Sequence, residues 1–199
     1  MQTMKDIHDL LKIKTNNIKP ARGKILISEP FLLDYFFKRS VILLAEHNEE
    51  GTFGLIINKP VKARFNDVVK GFPEFNSRIF LGGPVQSDSV YFIHTLGEVI
   101  DDSVEIIPGI YWGGDIERVK EMISLSIIKP TQIRFFIGYS GWSPNQLEEE
   151  LERNSWVVSN VTSDEILRTT PSMLWSRSLK RLGDEYAHWN KFPDDPSEN

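Results

Sequence analysis

Covalent chemistry is most plausible in this chain at Gly138-Tyr139-Ser140-Gly141-Trp142. A serine between glycines, after an apolar strand and before a helix, is where a nucleophile elbow would sit. That elbow requires G-x-S-x-G, and position 142 is Trp. The stretch reads instead as a tight turn between strand and helix, with Gly138 and Gly141 supplying unusual dihedrals and Trp142 packing over them. A hydrolase reading would pair Ser140 with His47 or His94, and needs an imidazole about 3 Å from the serine oxygen. The two strand-end histidines, with Glu46 and Asp88, also offer metal donors. They lack H-x-H or H-E-x-x-H spacing, so no metal site is expected.

Binding groups are easier to find than catalytic ones. Gly82-Gly83-Pro84 follows a short strand and could present backbone N–H groups to an anion, but Pro84 removes one donor and no Lys-Ser/Thr follows, so close backbone packing is the reading. Asn58-Lys59-Pro60 puts a polar pair and a cation at a strand end, where clefts often open. After Trp142, Ser143 reads as a helix cap, Pro144 as the first helical residue and Gln146 as the other half of an S-x-x-Q capping box. Glu148, Glu149 and Glu150 crowd the first turns of that helix, which makes its N-terminus a poor host for an anion. The candidate ligand- or partner-binding residues are therefore His47, Asn58, Lys59, Gly82, Gly83, Ser140, Trp142 and Gln146.

The elements that must position these residues can be read from pattern. Thr3 caps an amphipathic helix carrying Ile7, Leu10 and Leu11. Gly23 to Ser28 is a strand stopped by Pro30, and the aromatic-rich Phe31 to Phe37 reads as a buried turn or short helix. Ser40 to Glu46 is a continuous apolar run, expected to be covered on both faces; it returns through Asn48-Glu49-Glu50-Gly51 into a strand over Thr52–Asn58 that Pro60 ends. Asn66 reads as the cap of a short helix closed by Gly71 and Pro73. Strands follow at Arg78–Leu81, Ser89–Leu96, Val104–Ile107, Gln132–Ile137 and Trp156–Ser159. Asp115 caps a helix with Ile116, Val119 and Ile123 on one face, and Thr162 to Glu165 is a capping box. A last helix after Pro171 carries Trp175, Leu179 and Leu182 and stops at Gly183; Tyr186, Trp189 and Phe192 are spaced to dock. Early hairpins and late interleaved helices favour an α+β domain over a regular parallel one.

Composition narrows the functional classes. At 199 residues, 40% hydrophobic and 26% charged, the chain suits one globular domain. It has no cysteine, which excludes disulfides, thiolate zinc sites and cysteine nucleophiles. Apolar runs reach only about six residues, too short for a membrane span, and no secretory signal is visible; a cytoplasmic protein without membrane attachment is expected. The net charge of −5 argues against generic nucleic-acid binding. Residues 1–100 carry 13 basic and 11 acidic side chains, and residues 101–199 carry 10 and 17. Met1–Lys24 alone is +4, which reads as a solvated helix face; DNA contact through it is the rival reading, and a homo-oligomer contact through that helix is another.

Four blocks together resemble the AlgH/YqgE family of bacterial proteins: Phe37 to Leu44 running to His47, Gly54 to Pro60, Gly82 to Val85, and Gly138 to Trp142 with Gln146-Leu147-Glu148 and Trp156. Ser140 stands where alanine is more usual. The resemblance runs from about Gly23 to Val158. Within the single domain that the length suits, it implies a family core over residues 20–160, with an N-terminal helical extension over 1–19 and a C-terminal helical extension over 161–192; the proline- and acid-containing tail over 193–199 reads as disordered. It implies a mixed, largely antiparallel bifurcated sheet curled into a partial barrel and flanked by helices. Some members of the family are labelled transcriptional regulators, but no helix-turn-helix with basic recognition residues is present in this chain. The expected function is a non-enzymatic regulatory or binding protein, without a cofactor, recognising an unidentified small molecule or protein. The Ser140 hydrolase is the alternative.

Overall fold

The computed structural model describes residues 16–32 and 34–192, so the expected N-terminal helix and the tail over 193–199 lie outside the described residues. Strands β1 (Ile25–Ser28), β2 (Val41–Asn48) and β3 (Gly51–Ile56) form an antiparallel meander, with β10 (Trp156–Ser159) on the outer side of β1. The apolar run Val41–Ala45 is fully covered, as expected of a strand with elements on both faces. On the other side lie β9 (Ile133–Trp142), β6 (Val85–His94), β8 (Ile110–Trp112) and β7 (Val104–Ile107), giving the order β10-β1-β2-β3-β9-β6-β8-β7. Two further strands, β4 (Pro60–Arg64) and β5 (Arg78–Leu81), form a branch in which β5 runs parallel to β9. The sheet is mixed, largely antiparallel and open.

The branch point explains the architecture. Strand β9 keeps β6 along one edge, but on the other edge Phe135–Ile137 pair with β5 whereas Ser140–Trp142 pair with β3. The change of partner falls at Gly138, whose φ of 65° only glycine adopts freely. Gly82 fills the junction: its N–H donates to Ile137 O at 2.8 Å and its carbonyl accepts from Ile56 N–H at 2.9 Å. A Cβ on Gly82 would lie 2.1 Å from the Gly138 carbonyl oxygen.

Three apolar clusters cover the two faces. The concave face packs Leu43, Leu55, Phe136 and Val157 against Trp175 and Leu179 of the long C-terminal helix α5 (Pro171–Leu182). The opposite face of the meander packs Ile42, Ile56, Trp142 and Trp156 against Leu147 of α3 (Gln146–Glu152). The far side of β5 and β9 packs Ile79 and Phe135 against Phe65 of α1 (Phe65–Val68) and Val119 and Ile123 of α2 (Ile116–Ser124). The helix α4 (Ser163–Arg168) begins with the expected reciprocal capping box between Thr162 and Glu165. Asp184–Ala187 (α6) and a 3₁₀ turn at His188–Lys191 bury Tyr186 and Trp189, as their spacing predicts.

Several local expectations are corrected. Gly138–Trp142 is not a turn but the second half of β9. The helix after it begins at Gln146, because Ser143-Pro144-Asn145-Gln146 forms a turn with Asn145 left-handed at φ 66° and Gln146 N–H on Ser143 O at 3.0 Å. Pro at the second and Asn at the third position suit a type II turn, and that preference overrides the capping box. Only its reverse half survives, with Ser143 N–H donating to Gln146 Oε1 at 3.0 Å. Pro60 does not merely end a strand; it opens the edge strand β4, where a missing N–H costs nothing. Asn66 lies inside α1 and ties down the following loop, accepting from Phe75 N–H at 2.8 Å and donating to Pro73 O at 2.9 Å. The short β8 was not expected; Pro108-Gly109 makes it the return of a hairpin from β7. The Phe31–Phe37 segment is a turn, but only half-buried, with Tyr35 84% exposed.

Gly82→Ala is expected to destabilise the protein by at least about 3 kcal/mol, since a backbone carbonyl on an interior strand cannot step aside. Urea unfolding checks this; a loss under about 1 kcal/mol would show that the junction is not tight.

Candidate functional site

The structure places the eight sequence-selected residues in four separate surroundings. Gly82, Gly83 and Ser140 are buried at the sheet junction, where the Ser140 hydroxyl donates to Gly82 O at 3.0 Å. That proton is committed to a backbone carbonyl in a site closed to solvent. His47 Nδ1 lies 2.7 Å from Thr52 Oγ1, and its Nε2 lies 3.6 Å from Glu148 Oε1. His94 is wholly buried, with Nε2 at 2.9 Å from Gly113 O and Nδ1 accepting from Leu96 N–H at 3.1 Å. Neither imidazole is bonded to the serine, so the Ser–His arrangement a hydrolase needs is not formed. Among the described residues no three His, Asp or Glu side chains gather to hold a metal.

Asn58 and Lys59 serve the turn beside them. Asn58 Oδ1 accepts from Val41 N–H at 2.8 Å, and Nδ2 donates to Arg39 O at 2.9 Å. Lys59 Nζ donates to Phe36 O at 2.7 Å, and burial, first of all, holds its ammonium below the usual lysine range. The cation caps carbonyls of the 35–36 turn.

Trp142 and Gln146 meet on a residue that was read only as part of an acidic helix face. Glu150 Oε2 accepts from the indole N–H groups of Trp142 at 2.9 Å and Trp156 at 2.7 Å, and Oε1 accepts from Gln146 Nε2 at 3.1 Å. A carboxylate shared by two buried indoles locks α3 onto β9 and β10. Phe37 completes the aromatic group, stacking on Trp142 and meeting Trp156 edge-on.

The most site-like feature lies on the other side of Trp142. Phe53, Tyr91, Trp112 and Tyr139, from β3, β6, β8 and β9, are half-buried and form one group in which Phe53 and Tyr91 each touch the other three. Phe53 lies 4.6 Å from both Trp112 and Tyr139, and Tyr91 is 5.7 Å from Trp112 in a stacked pair. They close the concave face at the end where the β2–β3 hairpin turns. Beside them opens a cleft of about 520 Å³ whose walls include Phe53, Tyr139, Trp142, Glu46 and Glu50, with no lysine or arginine. Of the eight sequence-selected residues, Trp142 lines it. The Tyr91 phenol donates to Gln86 Oε1, and burial, then Tyr139, raise its pKa, so it remains a neutral donor. Ring faces beside carboxylates suit a cation or an electron-poor ring. Sequence reading missed this group because its members lie on four strands; their only local signal is placement on the concave face, with Tyr91 opposite Phe136 and Phe53 opposite Gly141.

Two outcomes follow from these bonds. Glu150→Ala leaves two buried indole N–H groups without a partner and is expected to cost about 2–4 kcal/mol, with a shift in tryptophan emission; an unchanged urea midpoint would refute the lock. Burial holds the His94 pKa below the ordinary value, against a smaller upward pull from the Gly113 carbonyl. Above about pH 6.5 folded and unfolded His94 are both neutral, and below it the unfolded chain binds a proton the fold resists, so stability falls as pH drops. His94→Gln is expected to flatten the stability profile between about pH 7 and 5; identical profiles would refute this.

The protein-family profile described as AlgH-like matches residues 25–187, running past Val158, where the resemblance of the sequence blocks ends. A UPF0301 protein of Chlorobaculum tepidum is 43% identical over 92% of this chain and 96% of its own length. One of Bacteroides thetaiotaomicron is 42% identical over 96% of this chain and 97% of its own. A Corynebacterium diphtheriae protein of known crystal structure shares the fold, with a TM-score of 0.73 at 22% identity over 89% of this chain and 95% of that one. The solution structure of the AlgH protein from Pseudomonas aeruginosa has a TM-score of 0.69 at 26% identity, over 90% of this chain and 98% of that one. A fold built around a glycine junction, the four sequence blocks laid along it and these relatives agree: the chain belongs to the AlgH-like family.

Proposed function

We propose that this protein acts by binding rather than by catalysis, and that its ligand seats a cationic or planar aromatic group in the cleft bounded by Phe53, Tyr139 and Trp142. One observation carries the reading: Phe53 and Tyr139, two rings of a half-buried aromatic group built from four strands, line with Trp142 a cleft that holds Glu46 and Glu50 and no basic side chain. A core builder would bury such rings fully, whereas a recognition surface keeps their faces available beside opposite charge. The sequence-selected residues support this cleft unequally. Trp142 forms a wall, and Gly82, Gly83 and Ser140 fix the backbone that carries Tyr139 and Val85. His47 and Gln146 lie near its rim elements, and Asn58 and Lys59 stand beyond the far end of β3. The ligand is a small molecule or an arginine- or lysine-bearing segment of a partner protein, and a regulatory role would follow from that recognition.

The test is a titration with guanidinium and tetramethylammonium ions and with an arginine-rich peptide, read in the amide and indole NMR signals. Signals of Phe53, Trp112, Tyr139 and Trp142 are expected to move together. The surface double variant Glu46→Gln/Glu50→Gln should weaken binding about fivefold or more. Shifts scattered over the surface, or equal affinity in the double variant, would overturn the reading.

A further inference from the structure

A second cleft, of about 470 Å³, lies where β5 and β9 begin, and its charge is opposite in sign. Its walls include Arg78, Arg134, Arg168, Ser77 and Thr170, and no acidic side chain. The register sets Ile79 beside Phe135, so Arg78 and Arg134 stand side by side on neighbouring parallel strands, roughly 5 Å apart along the backbone. Arg64 is opposite Arg78 on the next strand, so three arginines occupy one row across β4, β5 and β9. Like charges placed directly across strands repel, and nothing in the sheet itself requires them.

Both carboxylates of α4, whose end lines the cleft, are paired with arginines outside that row. Arg168 holds Asp164 at 2.7 Å, and Glu165 pairs with Arg181. Among the described residues the Arg134 guanidinium makes one hydrogen bond, from Nη1 to Ile57 O at 3.1 Å, and it lies 4.4 Å above the Phe80 ring. These contacts fix the plane of the group and leave its other N–H donors for the cleft. Burial, then the charge of Arg78, push Arg134 down to about 10, which still leaves it charged at neutral pH. A half-buried cation beside a second cation, with no carboxylate lining the cleft, is stabilised by an anion between them. The helix α5 begins on the same cleft: Thr170 is its cap residue, its side chain makes no capping bond, and no acid occupies the first turn.

We propose that this cleft is an anion site for a phosphorylated small molecule, whose phosphate is held in the plane of the Arg134 guanidinium with Arg78 as the second cation and Thr170 at the helix α5 terminus completing the cradle. A phosphate dianion matches two arginines that hold no carboxylate among the described residues better than a single carboxylate does, and guanidinium geometry favours bidentate contact with it. The net charge of −5 makes unspecific anion binding unfavourable, so affinity must come from this local row.

The experiment titrates the full chain with inorganic phosphate, pyrophosphate, acetate and a short single-stranded oligonucleotide, by calorimetry and amide NMR. Pyrophosphate is expected to bind most tightly, moving signals of Arg78, Phe80, Arg134 and the start of α5 while leaving Phe53 and Tyr139 still. Arg78→Gln, at an exposed position, should retain the fold and weaken pyrophosphate about tenfold, the loss of one charge-assisted contact. Arg153→Gln, at the exposed residue that ends α3, should leave affinity unchanged. Arg134→Lys, which keeps the charge but not the fork, should weaken binding comparably if it folds; Arg78→Gln decides the matter if it does not. No binding at about 10 mM pyrophosphate, equal weakening by Arg153→Gln, or binding confined to the oligonucleotide would overturn the proposal.

Discussion

The Gly82 peptide carries more of the architecture than any side chain. Its N–H is held by Ile137, and its carbonyl takes both the Ile56 N–H and the Ser140 hydroxyl, in a position closed to solvent. One residue therefore satisfies three strands at the point where β9 exchanges β5 for β3. The exchange requires the chains to approach more closely than a Cβ permits, which accounts for glycine at 82, 83 and 138 together. The same geometry makes the serine at position 140 useful without making it obligatory. An alanine would leave Gly82 O with Ile56 as its donor, so the hydroxyl adds a bond without being needed to prevent an unpaired buried carbonyl.

Much of this was legible in the chain. The fully covered run Val41–Ala45, the hairpin at Glu49-Glu50 and the Thr162–Glu165 box are local signals, and each was resolved by local physics. The failures have one origin. Gly138–Gly141 reads as a turn because glycine ordinarily breaks strands, and nothing nearby reveals that a third strand crosses there and makes glycine obligatory. Pro60 reads as a terminator because the sequence does not show that β4 will be an edge. In both cases a tertiary neighbour reversed the meaning of a punctuating residue.

The candidate site was legible in part for a related reason. Trp142 announces itself as a large apolar group among glycines, but the partner of its indole, Glu150, looked like one of three acids serving a helix dipole. A carboxylate with three side-chain donors is indistinguishable in sequence from a solvated one. The rings beside the cleft are also ordinary strand aromatics until the sheet curls and sets four of them together. Lys59 is the converse: it reads as a free cation at a strand end, yet its ammonium is spent on the carbonyls of a turn.

Strand β9 then relates the two clefts. It begins beside Arg134 and ends at Trp142, eight residues on, so the acidic and basic clefts stand roughly 27 Å apart along one extended backbone. The row of arginines is affordable only at the start of β9, where β5 replaces β3 as neighbour and α4 and α5 close over it. At the other end, with β3 alongside, the hairpin brings Glu46 and Glu50 instead. The bifurcation that Gly82 enforces thus also separates the charges, and each cleft repels the class of ligand the other attracts.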